Sequence, residues 1–365
     1  MSHELLDRLL RAMGGIDASD LHIKVGSAPR VRINGALSTL QGEERLEDQD
    51  TEEMAAAIMR PVVAEQFATR NEADFAYAIP GVGRFRANVF RQRGSVAMVF
   101  RRVRTSAASF EELGLPEAVK RLANEARGLI LVTGPTGSGK TTTLAAMIDH
   151  INRSREVHIV TIEDPIEVLH RDEKAEVSQR EIGFDTQDFS SAMRAAMRQD
   201  PDVILVGEMR DSETVEAALR AAETGHLVFS TLHTIDATET INRIVDFFPP
   251  YQQNQVRVAL AGALRGTICQ RLVPKSNGGG RVAALEVMVV NGRLQQCIID
   301  PHKTSDIHEI VADGEYYGMQ TFDQALARLY AQGDIELRDA MMTASNPHDL
   351  KVMLQRKGLV AAGSR

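Results

Sequence analysis

The most chemically informative part of the sequence is a glycine-rich segment that ends in a lysine and a threonine. Residues 134–141 read GPTGSGKT, the spacing of a P-loop, with an apolar strand predicted before it and a helix after it. In such a loop the glycines let backbone N–H groups point at phosphate oxygens, and the helix start adds positive potential. The alternative is a glycine-rich turn with a chance GKT. The predicted nucleotide-binding residues are Gly134, Pro135, Thr136, Gly137, Ser138, Gly139, Lys140, Thr141 and Thr142.

Hydrolysis of a bound nucleotide needs a second group that acts on the attacking water. An acidic residue after another apolar strand could supply that group. Lys140 is expected to reach the β- and γ-phosphates and Thr141 to ligate Mg²⁺. Glu208 ends the apolar run ILVGE and could orient or deprotonate the attacking water. Generic P-loop enzymes carry an aspartate just before this glutamate, where this chain has Gly207, so the metal must rely on Thr141, phosphates and water. The alternative for Glu208 is a surface carboxylate after a core strand.

Two other predicted strands also end in polar residues. TIEDPIE places Glu163, Asp164 and Glu167 after one strand, where they could hold metal-bound water or form a solvated loop. STLHT places His233 at the end of another strand, where an imidazole could sense the γ-phosphate, although a lone histidine is usually structural. In a chain that already contains a P-loop, we favour the site interpretation for the acidic group.

A hairpin is predicted in the N-terminal part, and its register brings two arginines together. A turn centred on residues 93–94 places Arg86 opposite Arg101 and leaves Phe85 on the opposite, apolar face. Like charges directly opposite each other are destabilising. We expect no residue of this domain to supply the counter-anion, so a phosphate from a neighbouring subunit could fill the role. The alternative is two solvated arginines that splay apart.

Composition limits the class of protein. The 365 residues carry a net charge of −8, which argues against a motor that grips nucleic acid by bulk charge but leaves a local basic groove possible. Cys269 and Cys297 lack a CxxC partner, so we expect neither zinc nor a disulfide, and both should be buried apolar residues in a reducing compartment. The sequence contains no apolar run long enough to span a bilayer and no signal-peptide core, which predicts a cytoplasmic protein.

The element pattern predicts an α/β fold with two domains. Residues 1–104 mix helices and alternating strands, including a helix capped by Asp50 and bent or divided at Pro61. Residues 105–118 are a predicted linker. Residues 119–300 alternate apolar strands with helices, typical of a parallel sheet covered on both faces. Residues 301–365 are predicted to be helical, with Thr321 and Gln324 forming a capping box.

The motifs together resemble the secretion-type ATPases that power type IV pili and type II secretion. Besides the P-loop, two segments of the N-terminal part match this family: SDLHI (19–23) and GRFRANVFRQRG (83–94). Three further segments resemble named motifs of the family. The Asp box is resembled by TIEDPIE, the Walker B region by RQDPDVILVGEMRDSET (198–214), and the His box by GHLVFSTLHT (225–234). Within that group the chain resembles the pilus retraction (PilT) family. The N-terminal domain is expected to begin almost at residue 1, the zinc cysteines of assembly ATPases are absent, and QRE (179–181), INRIVDFFP (241–249) and GMQTFDQAL (318–326) resemble retraction enzymes.

The resemblance implies a PAS-like N-terminal domain, a RecA-like ATPase domain and a helical C-terminal region, in a homohexamer at the cytoplasmic face of the inner membrane. The implied cofactors are ATP and Mg²⁺. The implied partners are an inner-membrane platform protein, the pilin machinery acting through it, and a paralogous retraction ATPase, with neither nucleic acid nor zinc. Lys140 and Thr141 would bind phosphate and Mg²⁺, Glu208 would be the catalytic carboxylate, Glu163 and His233 would lie at the γ-phosphate, and Arg86 and Arg101 would act in trans.

One stretch departs from the family pattern, and three other functions stay open. Retraction ATPases often carry an AIRNLIRE-like helix where this chain has NGRLQQCIIDPHKTSDIHEIV (291–311), which keeps the apolar pattern but not the wording. The alternatives are an assembly or secretion ATPase of the same superfamily, an ATP-binding ring subunit with little turnover, and a DNA-translocating ring.

Overall fold

The computed structural model describes residues 2–33 and 35–360, apart from the side chain of Ser2. These residues group into a first unit that runs to Ser106 and includes Glu167–Leu169, and a second unit that contains the rest. Each unit has its own hydrophobic core. Among the described residues, every helix is too short or too polar to cross a lipid bilayer.

The first unit is an antiparallel sheet with helices packed on it. Its strands have the order β3-β2-β1-β6-β5-β4. In chain order its elements are α1 (Ser2–Gly15), β1 (Asp20–Lys24), β2 (Arg30–Ile33), β3 (Ala36–Thr39), α2 (Asp48–Ile58), α3 (Pro61–Arg70), β4 (Glu72–Ile79), β5 (Gly83–Gln92) and β6 (Ser95–Arg102).

Helix α1 is amphipathic, as its sequence predicts. Leu6, Leu9, Leu10 and Met13 recur at helical spacing, and all four are fully buried in the core of the first unit. Full burial of each such side chain stabilises a fold by about 1.5–3 kcal/mol before the entropy cost of ordering it. The apolar stripe therefore fixes which face of α1 packs inward.

The predicted hairpin has the register that the sequence indicated. Arg93 and Gly94 both have positive φ, at 51° and 89°, as a two-residue turn of the type favoured in hairpins requires. Arg86 pairs with Arg101 across β5 and β6. Phe85 and its neighbours on that face are fully buried, so the arginines lie on the opposite face of the sheet.

The helix predicted to start at Asp50 begins earlier. Glu47 is the N-cap of α2, and Asp50 is the third helical residue, whose Oδ2 accepts the Glu47 N–H at 2.8 Å. The prediction of Asp50 as N-cap is therefore wrong; it is the other half of a capping box. Pro61 divides the segment into two helices and stands at the first position of α3, where its missing N–H costs nothing.

The second unit is built on a mostly parallel sheet. In chain order its elements are α4 (Phe110–Leu113), α5 (Glu117–Ala123), β7 (Gly128–Thr133), α6 (Lys140–Ser154), β8 (His158–Glu163), β9 (Glu176–Glu181), α7 (Phe189–Ala196), β10 (Val203–Val206), α8 (Ser212–Glu223), β11 (Leu227–Leu232), α9 (Ala237–Asp246), α10 (Pro250–Ala263), β12 (Leu264–Pro274), β13 (Arg281–Val289), α11 (Gly292–Ile299), α12 (Ile307–Ala312), α13 (Phe322–Ala331), α14 (Leu337–Thr343) and α15 (Pro347–Arg356). Short 3-10 helices cover Pro301–Asp306 and Glu315–Tyr317. Helix α4 and the start of α5 lie in the stretch predicted as a linker.

The strands of this sheet have the order β13-β12-β7-β11-β10-β8-β9. The described strands of this sheet all pair in parallel, except that β13 pairs antiparallel with β12. Apolar clusters pack on both of its faces, which confirms the predicted parallel sheet. The carboxyl ends of β7, β11, β10 and β8 lie side by side at one edge. The sequence pattern does not predict strands β9, β12 and β13.

Several helices of the second unit begin at a side chain that caps them. Asp211 accepts the Thr214 N–H at 2.7 Å and caps α8. Thr321 and Gln324 form the expected capping box of α13. These side chains satisfy N–H groups that have no partner within the helix, each worth about 1 kcal/mol.

Candidate functional site

The P-loop segment joins β7 to α6 as its sequence predicts, and its glycines are required by packing. Gly134 has φ +143°, and a Cβ there would lie 2.4 Å from the carbonyl oxygen of Gln270. Gly139 has φ +93°, and a Cβ there would lie 2.6 Å from Nε2 of the same glutamine. The loop therefore keeps its curled path only with glycine at both positions.

Two polar side chains of the P-loop segment differ in how their hydrogen-bonding groups are satisfied. Nζ of Lys140 donates to the carbonyl oxygens of Gly134 and Pro135, at 2.8 and 3.1 Å, so it folds back over the loop. Burial lowers the pKa of Lys140, and the nearby charge of Glu208 partly offsets this effect. Oγ of Ser138 is buried without a hydrogen-bond partner among the described residues. A buried polar atom in this state is expected where an unseen ligand binds.

The first turn of α6 contains three consecutive threonines whose burial increases along the chain. Thr141 is exposed, Thr142 is half-buried, and Thr143 is buried, with its hydroxyl donating to Oε1 of Gln270 at 2.8 Å. The Thr141 hydroxyl is thus accessible at a helix N-terminus, where anions and their metal ions are favoured. Gln270 on β12 packs against the loop from the other side.

Glu208 lies two residues beyond the end of β10, at the same sheet edge. Oε2 accepts from Nε of Arg210 at 2.9 Å, and Oε1 lies 3.3 Å from Nε2 of His233. The side chain is mostly buried. Each carboxylate oxygen therefore has one partner and keeps acceptor capacity for a water molecule at its exposed part.

The residue before Glu208 is packed closely against the end of β8. The Gly207 N–H donates to the Ile162 carbonyl at 2.8 Å, and a Cβ at Gly207 would lie 3.2 Å from that oxygen. That contact is tighter than ordinary van der Waals contact, so a side chain at this position would require the neighbouring backbone to shift by a few tenths of an ångström.

Glu163 is the last residue of β8 and is held firmly. Its Oε1 accepts from the Thr161 hydroxyl at 2.6 Å and from Nε2 of Gln179 at 3.1 Å. Asp164 lies 3.7 Å from Arg210 through an ion pair. Glu163, Glu208 and His233 thus lie at or just beyond the carboxyl ends of three strands that are neighbours in the sheet. Glu167 groups with the first unit.

The two arginines of the hairpin have acidic partners within the first unit. Nε of Arg101 donates to Oδ1 of Asp20 at 2.8 Å, and Nε of Arg86 lies 3.9 Å from Oδ1 of Asp74. The expectation that this domain supplies no anion is therefore wrong. Burial by itself would raise the pKa of Asp20, but hydrogen bonds from Ser19 and Arg101 outweigh it and hold that pKa below its ordinary value. More than half of each arginine side chain remains exposed.

Sequence reasoning missed three side chains that shape this site. Arg210 bridges Glu208 and Asp164, Gln179 orients Glu163, and Gln270 supports the P-loop. The QRE wording contained Gln179, but its role needed β9 to be recognised beside β8. Gln270 could not be found because it lies 127 positions in sequence from Thr143, the residue whose hydroxyl it accepts.

Comparison with known proteins identifies the family of the chain. Residues 5–341 match the family described as Type II/IV secretion system protein. The chain is 45% identical over 332 residues to the type IV pilus retraction ATPase PilT of Pseudomonas aeruginosa, covering 91% of this chain and 96% of that relative. It is 42% identical over 322 residues to a twitching motility protein of Neisseria gonorrhoeae, covering 88% of this chain and 86% of that one.

A solved structure is similar over the same extent. A crystal structure of the pilus retraction motor PilT with bound ADP superposes with a TM-score of 0.86 at 47% sequence identity, covering 96% of this chain and 98% of that chain. The predicted fold, with an N-terminal sheet domain, an ATPase core and a helical C-terminal region, is confirmed by this likeness.

Proposed function

Because this chain belongs to the type II/IV secretion system protein family and is PilT-like within it, we propose that it is an ATPase motor that drives retraction of type IV pili. The observation that carries the proposal is the extent of the match to the retraction ATPase, which spans 96% of that relative. The type IV pilus assembly ATPase PilB of P. aeruginosa is matched over 33% of its length. The assembly alternative is therefore less well supported.

The P-loop fits a bound triphosphate. Residues 134–142 would surround the phosphates with backbone N–H groups, and Lys140 would exchange its two loop carbonyls for phosphate oxygens. The buried hydroxyl of Ser138 would gain the partner that it lacks among the described atoms. A charged ligand thereby replaces interactions that the loop otherwise makes with itself.

The oxygen donors around the loop fit Mg²⁺. The exposed Thr141 hydroxyl would hold the ion together with phosphate oxygens and water, since Mg²⁺ prefers oxygen ligands and keeps several waters. When bound, Mg²⁺ would neutralise charge that develops on the phosphates. Gly207 contributes no carboxylate here, which leaves Thr141 as the assigned protein ligand.

Hydrolysis is assigned to the carboxylates and the imidazole at the sheet edge. Glu208 would orient or deprotonate the attacking water with the acceptor sites that Arg210 and His233 do not use. Glu163, fixed by Thr161 and Gln179, would lie at the γ-phosphate with His233. Proton removal by a positioned base contributes about 10²–10⁴-fold to rate.

The arginines of the first unit would act on a neighbouring copy of the chain. Arg86 and Arg101 are exposed and already paired with Asp74 and Asp20, so they could exchange these carboxylates for the γ-phosphate of another subunit. Such fingers stabilise transition-state charge by large factors. This assignment requires a ring, and we propose a homohexamer.

Within that ring, the domains would be residues 1–104, 119–300 and 301–365, with residues 105–118 as the hinge. Nucleotide binding and release would rotate the hinge and turn an inner-membrane platform protein, which places the motor at the cytoplasmic face of that membrane. A paralogous retraction ATPase is a further proposed partner. The pilin machinery would respond through the platform.

The enzymatic part is tested by phosphate release from Mg·ATP. The wild type should hydrolyse ATP, and Glu208→Gln should lose about 10²-fold or more of kcat while retaining ADP affinity, because the side-chain shape is kept and the base is lost. Equal rates for the two proteins would contradict the role of Glu208. Arg210→Gln serves as a neighbour control that keeps the carboxylate.

The cellular part is tested by counting surface pili with electron microscopy on cells that lack the gene. Excess pili that disappear on complementation with the wild type, but not with Glu208→Gln, are expected for a retraction motor. Bald cells would overturn the proposed direction and support an assembly role.

A further inference from the structure

A buried glutamate lies on β13, outside the residues assigned above. Glu286 is 3% exposed. In the sheet register it stands beside Cys269 of β12, which stands beside Thr133 of β7, the residue that precedes the P-loop. Side chains directly across neighbouring strands lie on the same face, so Glu286 faces the helices that cover that side of the sheet.

The carboxylate of Glu286 holds the start of the helix that follows His233. Oε1 accepts the backbone N–H of Ala237, the first residue of α9, at 2.8 Å. The intervening loop is tied locally as well. Glu239 accepts the Ile235 N–H at 2.9 Å, and the hydroxyls of Thr234 and Thr240 lie 2.6 Å apart. Glu286 is the contact in this set that comes from a distant strand and fixes the segment to the sheet.

The C-terminal region in turn fixes the position of Glu286. Gln320 exchanges backbone hydrogen bonds with Val287, at 2.8 and 3.1 Å, and its Nε2 donates to the Leu285 carbonyl at 2.8 Å. Arg328 on α13 donates to Oε1 of Gln320 at 2.8 Å. Both neighbours of Glu286 on β13 are therefore held by the segment that leads into α13.

A charged carboxylate at the buried position of Glu286 costs free energy of folding, because it loses its contact with water. Burial raises the pKa of Glu286 to about 7, even though the Ala237 hydrogen bond works in the opposite direction. An apolar side chain of similar size would avoid that cost but would leave the Ala237 N–H without its partner. What the oxygen provides is a fixed position for the first turn of α9 and the loop before it.

We propose that Glu286 is a positioning residue for His233, which it holds beside Glu208 through the first turn of α9, and that β13 links the C-terminal region to the ATP site. The inference rests on the proposed role of His233 at the γ-phosphate. Glu286 itself contacts neither nucleotide nor water in this role. It acts through one hydrogen bond and four residues of chain.

A pair of variants separates positioning from stability. Glu286→Gln keeps an acceptor oxygen at the same length, whereas Glu286→Met keeps the length and burial but removes the acceptor. At pH 8, Glu286→Met should lower kcat for phosphate release about tenfold or more, with KM and ADP affinity within about twofold of wild type, because misplacement affects the reacting group more than nucleotide binding. Glu286→Gln should retain most of the wild-type kcat.

The same substitutions in a His233→Ala background complete the test. If Glu286 acts through His233, Glu286→Met should lower kcat by less than about twofold there, since the two losses are not additive. A full additional loss in that background would overturn the positioning role and leave the proposed function intact. A His233→Ala protein with wild-type kcat would instead contradict the role of His233 and, with it, this inference. Parallel losses of kcat, ADP affinity and thermal midpoint in Glu286→Met would identify a merely structural residue and also overturn it.

Discussion

Replacing Glu286 by glutamine should stabilise the second unit at alkaline pH and much less at acidic pH. The glutamate is surrounded by other charges: Asp236 and Asp323 raise its pKa, and Arg271 lowers it. Desolvation is the largest influence, because the side chain is almost completely buried. Glutamine has the same shape, can still accept the Ala237 N–H, and cannot ionise.

The size and sign of the effect follow from proton linkage. The pKa of Glu286 rises from 4.5 to about 7 on folding, so the folded state holds the proton more tightly than the unfolded state. The contribution to stability is complete below about pH 4.5, decreases between about 4.5 and 7, and is lost above about 7. At about 1.4 kcal/mol per pH unit, the full change is about 3 kcal/mol, of which about 2–3 kcal/mol falls between pH 5 and 8.

Thermal unfolding of the nucleotide-free protein, followed by circular dichroism, measures this effect. The chain has no tryptophan, so the helical signal is a better probe than intrinsic fluorescence. The wild type and Glu286→Gln are compared in one buffer series from pH 5 to 8, because titration of all other groups then cancels. For a unit of this size 1 kcal/mol shifts the midpoint by about 2–4 °C. The midpoint difference should therefore widen by about 5–10 °C across the series.

A midpoint difference that stays constant from pH 5 to 8 would refute the reasoning. So would a variant that becomes less stable than the wild type as pH rises. Glu176→Gln is a suitable control, because Glu176 is exposed at the start of β9 and the substitution removes the same charge.

Three further predictions concern particular contacts. Gly134→Ala should abolish ADP binding measured by calorimetry, because the added Cβ would lie 2.4 Å from the Gln270 carbonyl oxygen. The control is Gly262→Ala in α10, where a Cβ meets open space. This control should leave ADP binding unchanged and raise the free energy of unfolding by up to about 1 kcal/mol. Asp20→Asn should lower the unfolding free energy by about 1 kcal/mol at pH 7, measured by chemical denaturation. Since the pKa of Asp20 is lowered on folding, the difference between variant and wild type should shrink as pH falls below 3.8. A difference that does not depend on pH would contradict this prediction. Thr321→Ala should cost about 1 kcal/mol through loss of the α13 capping box, and an unchanged midpoint would show that the box does not contribute.

Local features of the fold could be predicted from the sequence because their causes lie within a few residues. The Arg93–Gly94 turn fixes the register of its hairpin, and Asp211 and Thr321 bond N–H groups three residues away. Asp50 was assigned one turn too late as a cap because both Glu47 and Asp50 are acidic and either could accept an N–H. Strand β12 pairs with β7, which lies far away in the sequence, and local pattern does not show such pairing. Strand β13 joins the sheet through β12, the strand directly before it, so its place depends on that of β12.

The candidate site was predictable where its residues follow apolar strands. Glu163, Glu208 and His233 lie at or just beyond the carboxyl ends of three strands that are neighbours in the parallel sheet, so strand order places them at the same edge. Their partners were not predictable. Asp20 reaches Arg101 across 81 positions of sequence, and Gln270 reaches Thr143 across 127. The expectation that the first unit supplies no anion for Arg86 and Arg101 was wrong for the same reason. Asp20 lies on β1, and the sequence does not show that β1 pairs with β6.

The C-terminal stretch that departs in wording from retraction ATPases keeps the positions that packing determines. In α11, Leu294, Cys297 and Ile298 are buried, and buried Arg257 donates to the Ile298 carbonyl at 3.0 Å, which fixes the end of the helix. Arg293, in contrast, is exposed. Exposed positions can change type with little effect on stability, so a different wording is compatible with the same arrangement of helices. The departure therefore concerns the surface that α11 presents to solvent. The pilus count, rather than the fold, is the observation that decides which direction of work it serves.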